Sequence, residues 1–338
     1  MSGFASPAAF HAALRDLSVA EAGSIAAARA RQAELTKPAG SLGLLEEIAI
    51  FFAGWQGTPL PRIACARAAI FAGNHGVVVH GVSAYPASVT AAMVDNFRAG
   101  GGAINALARA ADMEVAIHPI DLDTPTADFT AGPAMDEGAC LAALAIGAAA
   151  VDPGLDLLVV GEMGIGNSTA AAALCARAFG GDAASWVGPG TGVDAAGIAR
   201  KVDVVSRALA LHHDAATPFA MLARLGGREI AAIAGAVVQA RTLGIPVVLD
   251  GFISCAAIAP LAAFAPAITD HCLAGHVSAE PGHRRLLDRL GLTPILSLDM
   301  RLGEGSGAAV AVGVIRAALA AHEGMATFAQ AGVARRTA

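Results

Sequence analysis

The chain has 338 residues, of which 55% are apolar and only 15% charged, and its formal net charge is −6. A mildly acidic chain with 4% aromatics and no basic stripe has neither the electrostatic footprint nor the stacking platform that nucleic acid requires, so no nucleic-acid partner is expected. Its five cysteines (Cys65, Cys140, Cys175, Cys255, Cys272) are scattered and form no CxxC pair, which suits a reducing, cytoplasmic compartment with the thiols as small core residues.

The N-terminal stretch shows no charged-then-apolar leader pattern. The first sixty residues read as helices: Ser6-Pro7 opens one, and Ala20 to Ala33 and Leu44 to Trp55 form two more. The Pro- and Gly-containing octet Thr36-Lys37-Pro38-Ala39-Gly40-Ser41-Leu42-Gly43 separates the latter two. Short, mainly apolar runs then alternate with helical patterns, at Ala66–Ala72, Val115–Ile120, Leu157–Val160, Ile245–Leu249, Ala267–Leu273 and Pro294–Leu298. Strands apolar on both faces, each followed by a helix, predict an α/β fold: a doubly wound, mostly parallel Rossmann-like sheet of about six strands. Residues 1–60 are expected to form a small helical subdomain, joined by the C-terminal helix of 315–338, beside an α/β catalytic domain over 61–314. The longest nearly apolar run, Phe252 to Ile268, holds Pro260 and Pro266 and lies near the lower length limit for a membrane span. It reads as a buried helix and strand, with no membrane partner.

Glycine-rich turns follow several of the strands, and ligands of open parallel sheets bind at the carboxyl ends of strands. Gly161-Glu162-Met163-Gly164-Ile165-Gly166-Asn167-Ser168-Thr169 follows a strand and opens an Ala-rich helix. It is a P-loop but for its lysine, whose place Asn167 takes, so a single phosphate fits better than a nucleoside triphosphate with magnesium. A tight turn with Asn167 or Ser168 as N-cap is the plainer explanation. Gly188-Pro189-Gly190-Thr191-Gly192 comes next, with Lys201 two helical turns beyond, as a mobile loop or a phosphate or sugar cradle. Only two lysines, Lys37 and Lys201, stand against twenty arginines, so a retained lysine suggests a need for a compact charge. Gly73-Asn74-His75-Gly76 leaves the first strand and leads to Ser83, Tyr85 and Pro86, which can wall a flat aromatic ligand or simply pack a loop. Gly275 to His283 offers His276, Glu280 and His283, but the prolyl break spoils a helical metal face, so no metal is expected. In Leu302-Gly303-Glu304-Gly305-Ser306-Gly307-Ala308 a carboxylate stands between glycines, between a strand and an Ala/Val helix. Glu304 there is either a charge at the positive end of a helix or a general base.

These segments together resemble the nicotinate-nucleotide–dimethylbenzimidazole phosphoribosyltransferase family of cobalamin lower-ligand synthesis. The resemblance rests on Leu35 to Gly43, Gly73 to Pro86, Gly161 to Thr169, Gly188 to Gly192 with Lys201, Leu249 to Ser254, Gly275 to His283 and Leu302 to Ala308, in that order. It implies transfer of the phosphoribosyl group of nicotinate mononucleotide to 5,6-dimethylbenzimidazole or a related base, giving α-ribazole 5′-phosphate and nicotinate, without a cofactor. It implies Glu304 as general base with Glu162 assisting, and phosphate or nucleotide contacts from Gly164, Ile165, Gly166, Asn167, Ser168, Gly190, Thr191, Gly192 and Lys201. The benzimidazole would meet Ser83, Tyr85, Pro86, Leu302 and Gly303, and the family implies a homodimer. Val89-Thr90-Ala91-Ala92-Met93 departs from the family, with Ala where a Gln is often expected, which leaves benzimidazoles, purines and phenols open as the base. An NAD-dependent oxidoreductase would need G-x-G-x-x-G after a strand with an acidic residue about twenty further on, a combination the chain lacks. A non-catalytic paralogue that binds the base or its riboside would not need Glu304.

Overall fold

The computed structural model describes residues 4–190 and 192–334. The N-terminal helices are α1 (Pro7–Ala13), capped by Ser6, α2 (Ala22–Glu34) and α3 (Leu44–Gln56). β1 (Ala66–Ala72) leads through a 3-10 turn to α4 (Ser88–Arg98) and α5 (Ala103–Ala110), then β2 (Glu114–Pro119), α6 (Glu137–Ala149) and β3 (Leu157–Met163). From β3 the chain enters α7 (Asn167–Phe179), α8 (Ala195–Leu211), α9 (Pro218–Leu225) and α10 (Arg228–Leu243) before β4 (Val247–Leu249). The last stretch is α11 (Phe252–Ala257), α12 (Ala259–Phe264), β5 (Cys272–Val277), α13 (Pro281–Leu290), β6 (Pro294–Ser297), α14 (Ser306–Gly324) and α15 (Phe328–Ala331).

The six strands form one sheet in the order β2-β1-β3-β4-β5-β6, and every neighbouring pair is parallel. This is the doubly wound α/β fold expected from the unbroken apolar strands; β1, β3, β4 and β5 are buried almost throughout. One expected strand lies elsewhere. Ala267–Leu273 reads as a strand, yet Pro266–His271 is a 3-10 helix and β5 starts only at Cys272. Pro266 has no N–H for a sheet ladder and sits comfortably at a helix start.

Helices α6, α7, α10 and α11 cover one face of the sheet and α3, α4, α5 and α14 the other. The Ala-rich composition shows its purpose where α6 crosses α10. A Cβ on Gly147 would strike the backbone of Ala232, and one on Gly235 the backbone of Leu144, so small residues let the two axes approach closely. Ile48, Ala49 and Phe52 of α3 share a core cluster with Ala68 and Ile70 of β1 and with Val312 and Ile315 of α14. Among the described residues no helix is long and apolar enough to cross a membrane. Strand order reverses between β1 and β3, and a crevice opens at such a switch point beyond the carboxyl ends of the strands.

Candidate active site

The cavity at that switch point is walled by three groups of residues. The first is the turn from β3 into α7, which contributes Glu162 and Met163 and then Gly164, Ile165, Gly166, Asn167 and Ser168, with Gly190 opposite. Gly166 is the N-cap of α7 at φ 95°, a left-handed conformation that a side chain rarely adopts. Ile165 N–H donates to the buried Thr90 hydroxyl of α4 at 3.2 Å, which pins the turn from behind. A helix N-terminus opening on a glycine turn presents N–H groups and partial positive charge to the cavity, the arrangement that binds a phosphate. Asn167 lies inside the helix and not at its cap, and its side-chain amide donates to Glu162 Oε2 at 2.5 Å.

Lys201, on α8, reaches this turn from the rear. It is 1% exposed, and its ammonium donates to Ser168 Oγ at 3.0 Å and to the Gly188 carbonyl at 2.7 Å. Burial lowers its pKa to about 8, against the attraction of Glu280. Glu280, which lines the cavity, is itself raised by burial and held down by Lys201. The other lysine has a different task. Lys37 pairs with Glu46 at 2.7 Å, holding the Thr36 to Gly43 loop onto α3, and does not line the cavity.

The second wall is Leu302 and Gly303, with Val82 and Ser83. A Cβ on Gly303 would stand 2.5 Å from Glu162 Oε1, so glycine here is what admits the Glu162 carboxylate. Gly303, Glu304 and Gly305 all have positive φ, at 87°, 64° and 85°. For a glutamate this costs on the order of 1 kcal/mol, which the surroundings must offset. Glu304 is 5% exposed and lies just behind the wall. Its side chain turns to the N-terminus of α5, where Oε2 accepts from Ile104 N at 3.3 Å. The helix end it meets is therefore that of α5, not of α14, which follows it in sequence.

The third wall comes from the turn after β4 (Gly251, Phe252, Ile253) and from His276 and Ser278 at the end of β5, with Arg301 at the rim. Behind it stands Asp250, 1% exposed. Three carboxylates thus gather at the ends of β3, β4 and the loop after β6. Burial and the Asp250 charge push Glu162 up to about 8; its Asn167 hydrogen bond opposes this, and Glu229 and Glu304 add to it. Burial also raises Glu304, opposed by the N–H groups of Ile104 and Ala103, with Asp250 raising it further. Burial and neighbouring negative charge therefore favour the protonated form of Glu162.

Of the remaining residues singled out from sequence, Tyr85 and Pro86 stand outside the cavity lining, and Tyr85 is 51% exposed. Gly192 does not line it, and Thr191 lies outside the described residues. Sequence reasoning missed Glu229. It opens α10, is fully buried, and holds His75 Nε2 at 2.5 Å beneath Gly73 and Gly164. The residues are 154 positions apart, so no local pattern joins them; the only signal was Gly226-Gly227 before a helix.

A phosphoribosyltransferase family model matches residues 18–333. The chain belongs to this family. It is 76% identical over 335 residues to the nicotinate-nucleotide–dimethylbenzimidazole phosphoribosyltransferase of Novosphingobium aromaticivorans, covering 99% of each chain. It is 56% identical over 324 residues to the protein of that name from a Ruegeria species, covering 96% of each. Among solved structures it superposes on CobT from Thermus thermophilus with a TM-score of 0.87 at 43% identity, over 93% of this chain and all of that one. Identity of this order over the full length carries catalysis with it, so the protein is a phosphoribosyltransferase and not a binding paralogue.

Proposed function

We propose that this phosphoribosyltransferase uses nicotinate mononucleotide and 5,6-dimethylbenzimidazole or a related base, giving α-ribazole 5′-phosphate and nicotinate. The observation that carries the reading is the cavity itself. An anion-binding helix N-terminus, backed by a buried lysine, faces a cluster of buried carboxylates across a space lined by apolar and glycine surface. The phosphate sits on Gly164 to Ser168 and Gly190, with Lys201 neutralising the charge from behind. The base lies against Leu302, Gly303 and Ser83, with Tyr85 and Pro86 on the adjoining turn.

In this reading Glu304 takes the imidazole N–H proton while the other ring nitrogen attacks C1′ on the face opposite nicotinate. The new C1′–N bond forms as the bond to the pyridinium nitrogen breaks, its electron pair leaving with nicotinate, and the β linkage becomes α. The pyridinium is already a good leaving group. Benzimidazole is a weak nucleophile, and a carboxylate raised by burial is a better base for it near neutrality. Glu162, in its protonated form, accepts from Asn167 on one oxygen and has a proton to donate to substrate from the other. A second reading makes Glu162 the base, favoured by its place in the cavity lining, where Glu304 is set back. It would require activity that climbs as pH rises through about 8, the value at which Glu162 loses its proton.

Incubation with nicotinate mononucleotide and a panel of benzimidazoles, purines and phenols, following nicotinate release, tests the reaction; no release with any base overturns it. Glu304→Gln is expected to lower turnover by about 10² or more with the mononucleotide still bound. Near-normal turnover in that variant, with Glu162→Gln inactive, would transfer the role to Glu162. We also propose a cytoplasmic homodimer. Five free cysteines support the compartment, and the exposed Val79, Tyr85, Leu298 and Leu302 supply apolar surface for a partner.

A further inference from the structure

The turn that carries Glu304 is built from three consecutive residues with positive φ, and α14 behind it has no side-chain cap of its own. Its exposed N–H groups are met instead from another part of the chain. Asp250, just past β4, accepts from Gly305 N through Oδ2 at 3.1 Å and from Ala308 N through Oδ1 at 3.0 Å. The same Oδ1 lies 3.5 Å from His276 Nε2 of β5. A single buried carboxylate thus spans the first turn of α14, beginning one residue beyond Glu304, and ties it to two neighbouring strands. An acidic group at a helix N-terminus is electrostatically favoured, and two charge-assisted bonds leave the turn little freedom.

We infer that Asp250 is a positioning residue for catalysis, holding the Glu304 backbone in its left-handed conformation and so setting where the base carboxylate can reach. This rests on the reading of Glu304 as base. The carboxylate has a second effect. Glu162 from β3 and Glu304 from the turn both face the Asp250 charge, which favours their protonated forms. The other groups turned towards Asp250 are His276 from β5, the Cys255 thiol from α11 and the two α14 N–H groups, while Glu229 from α10 acts on Glu162.

The test is Asp250→Asn in the full-length enzyme, assayed with nicotinate mononucleotide and dimethylbenzimidazole. Asn can accept only one of the two N–H bonds and carries no charge. We expect kcat to fall at least about 10-fold with little change in KM for the mononucleotide, whose phosphate sits on the opposite wall, since a displaced base lowers turnover alone. The acid limb of the pH–rate profile moves to lower pH, because one negative charge beside two carboxylates is gone. In a Glu304→Gln background the same substitution costs nothing further, since Asp250 acts through Glu304. Turnover within twofold of the parent overturns the inference, as does a fall in kcat with an unmoved acid limb, which is what a merely structural role would give. If Asp250→Asn does not fold, Asp250→Ser, a shorter cap with no amide to bury, takes the same readouts; failure of both to fold overturns the inference in favour of a purely architectural Asp250. Full activity of Glu304→Gln would instead refute the base assignment, whatever Asp250 does.

Discussion

Replacing Glu162 by Gln should make the protein more stable at alkaline pH and leave it nearly unchanged in acid. In the folded state Glu162 titrates at about 8, whereas the ordinary value is 4.5. Between those two pH values the folded chain holds one proton that the unfolded chain has released. Stability therefore falls as pH rises, by ~1.4 kcal/mol per pH unit from this group alone. Its favourable contribution is complete below pH 4.5 and is lost by the time pH passes the folded value. The whole interval is worth ~5 kcal/mol if nothing relaxes, and water entry and the readjustment of Asp250, Glu229 and Glu304 reduce it to about 2–3 kcal/mol. Gln cannot ionise, keeps the length of the side chain, and retains an oxygen for the Asn167 amide. Urea unfolding of parent and variant at pH 5, 7 and 9, at one protein concentration, reads the difference directly, because every other titrating group is shared. The variant should match the parent within about 1 kcal/mol at pH 5 and exceed it by about 2–3 kcal/mol at pH 9. A difference that stays constant across this range would falsify the claim that Glu162 is held protonated by burial and its carboxylate neighbours.

Two further outcomes follow from the same geometry. Lys201→Ala should raise KM for the mononucleotide well above any change in KM for the base, because its ammonium braces the Ser168 side of the phosphate turn; steady-state kinetics with each substrate varied in turn would refute this if both KM values moved equally. Light scattering of the purified chain should report twice the chain mass of 33.5 kDa, and Leu302→Asp, which sets a charge in the apolar surface beside the cavity mouth, should shift it towards monomer; a monomeric parent protein would overturn the dimer.

The sequence by itself determined the architecture and most of the chemistry-bearing turns. Unbroken apolar runs such as Leu157–Val160 suit strands covered on both faces, and β3 begins at that leucine. A glycine turn between such a strand and an Ala-rich helix announced the β3–α7 turn and its left-handed Gly166 from the local pattern, since helix N-termini and positive φ are properties of a few adjacent residues. The glycines around Glu304 were legible for the same reason. Pro266 was the local signal that the Ala267–Leu273 reading undervalued.

Only the tertiary structure decided how the charges act on one another. Whether Glu162 is ionised depends on burial and on Asp250, Glu229 and Glu304, which arrive from separate strands and helices. The pairing of His75 with Glu229, the reach of Lys201 behind Ser168, and the cap that Asp250 places on α14 join residues 33 to 154 positions apart. Periodicity reports which face of an element is apolar; it is silent on which polar side chains meet once the sheet brings its strand ends together. Glu304 illustrates the division. Its glycines could be read in the chain as the mark of an unusual turn, but its contact with the N-terminus of α5, 200 positions away, exists only because α14 packs against α5.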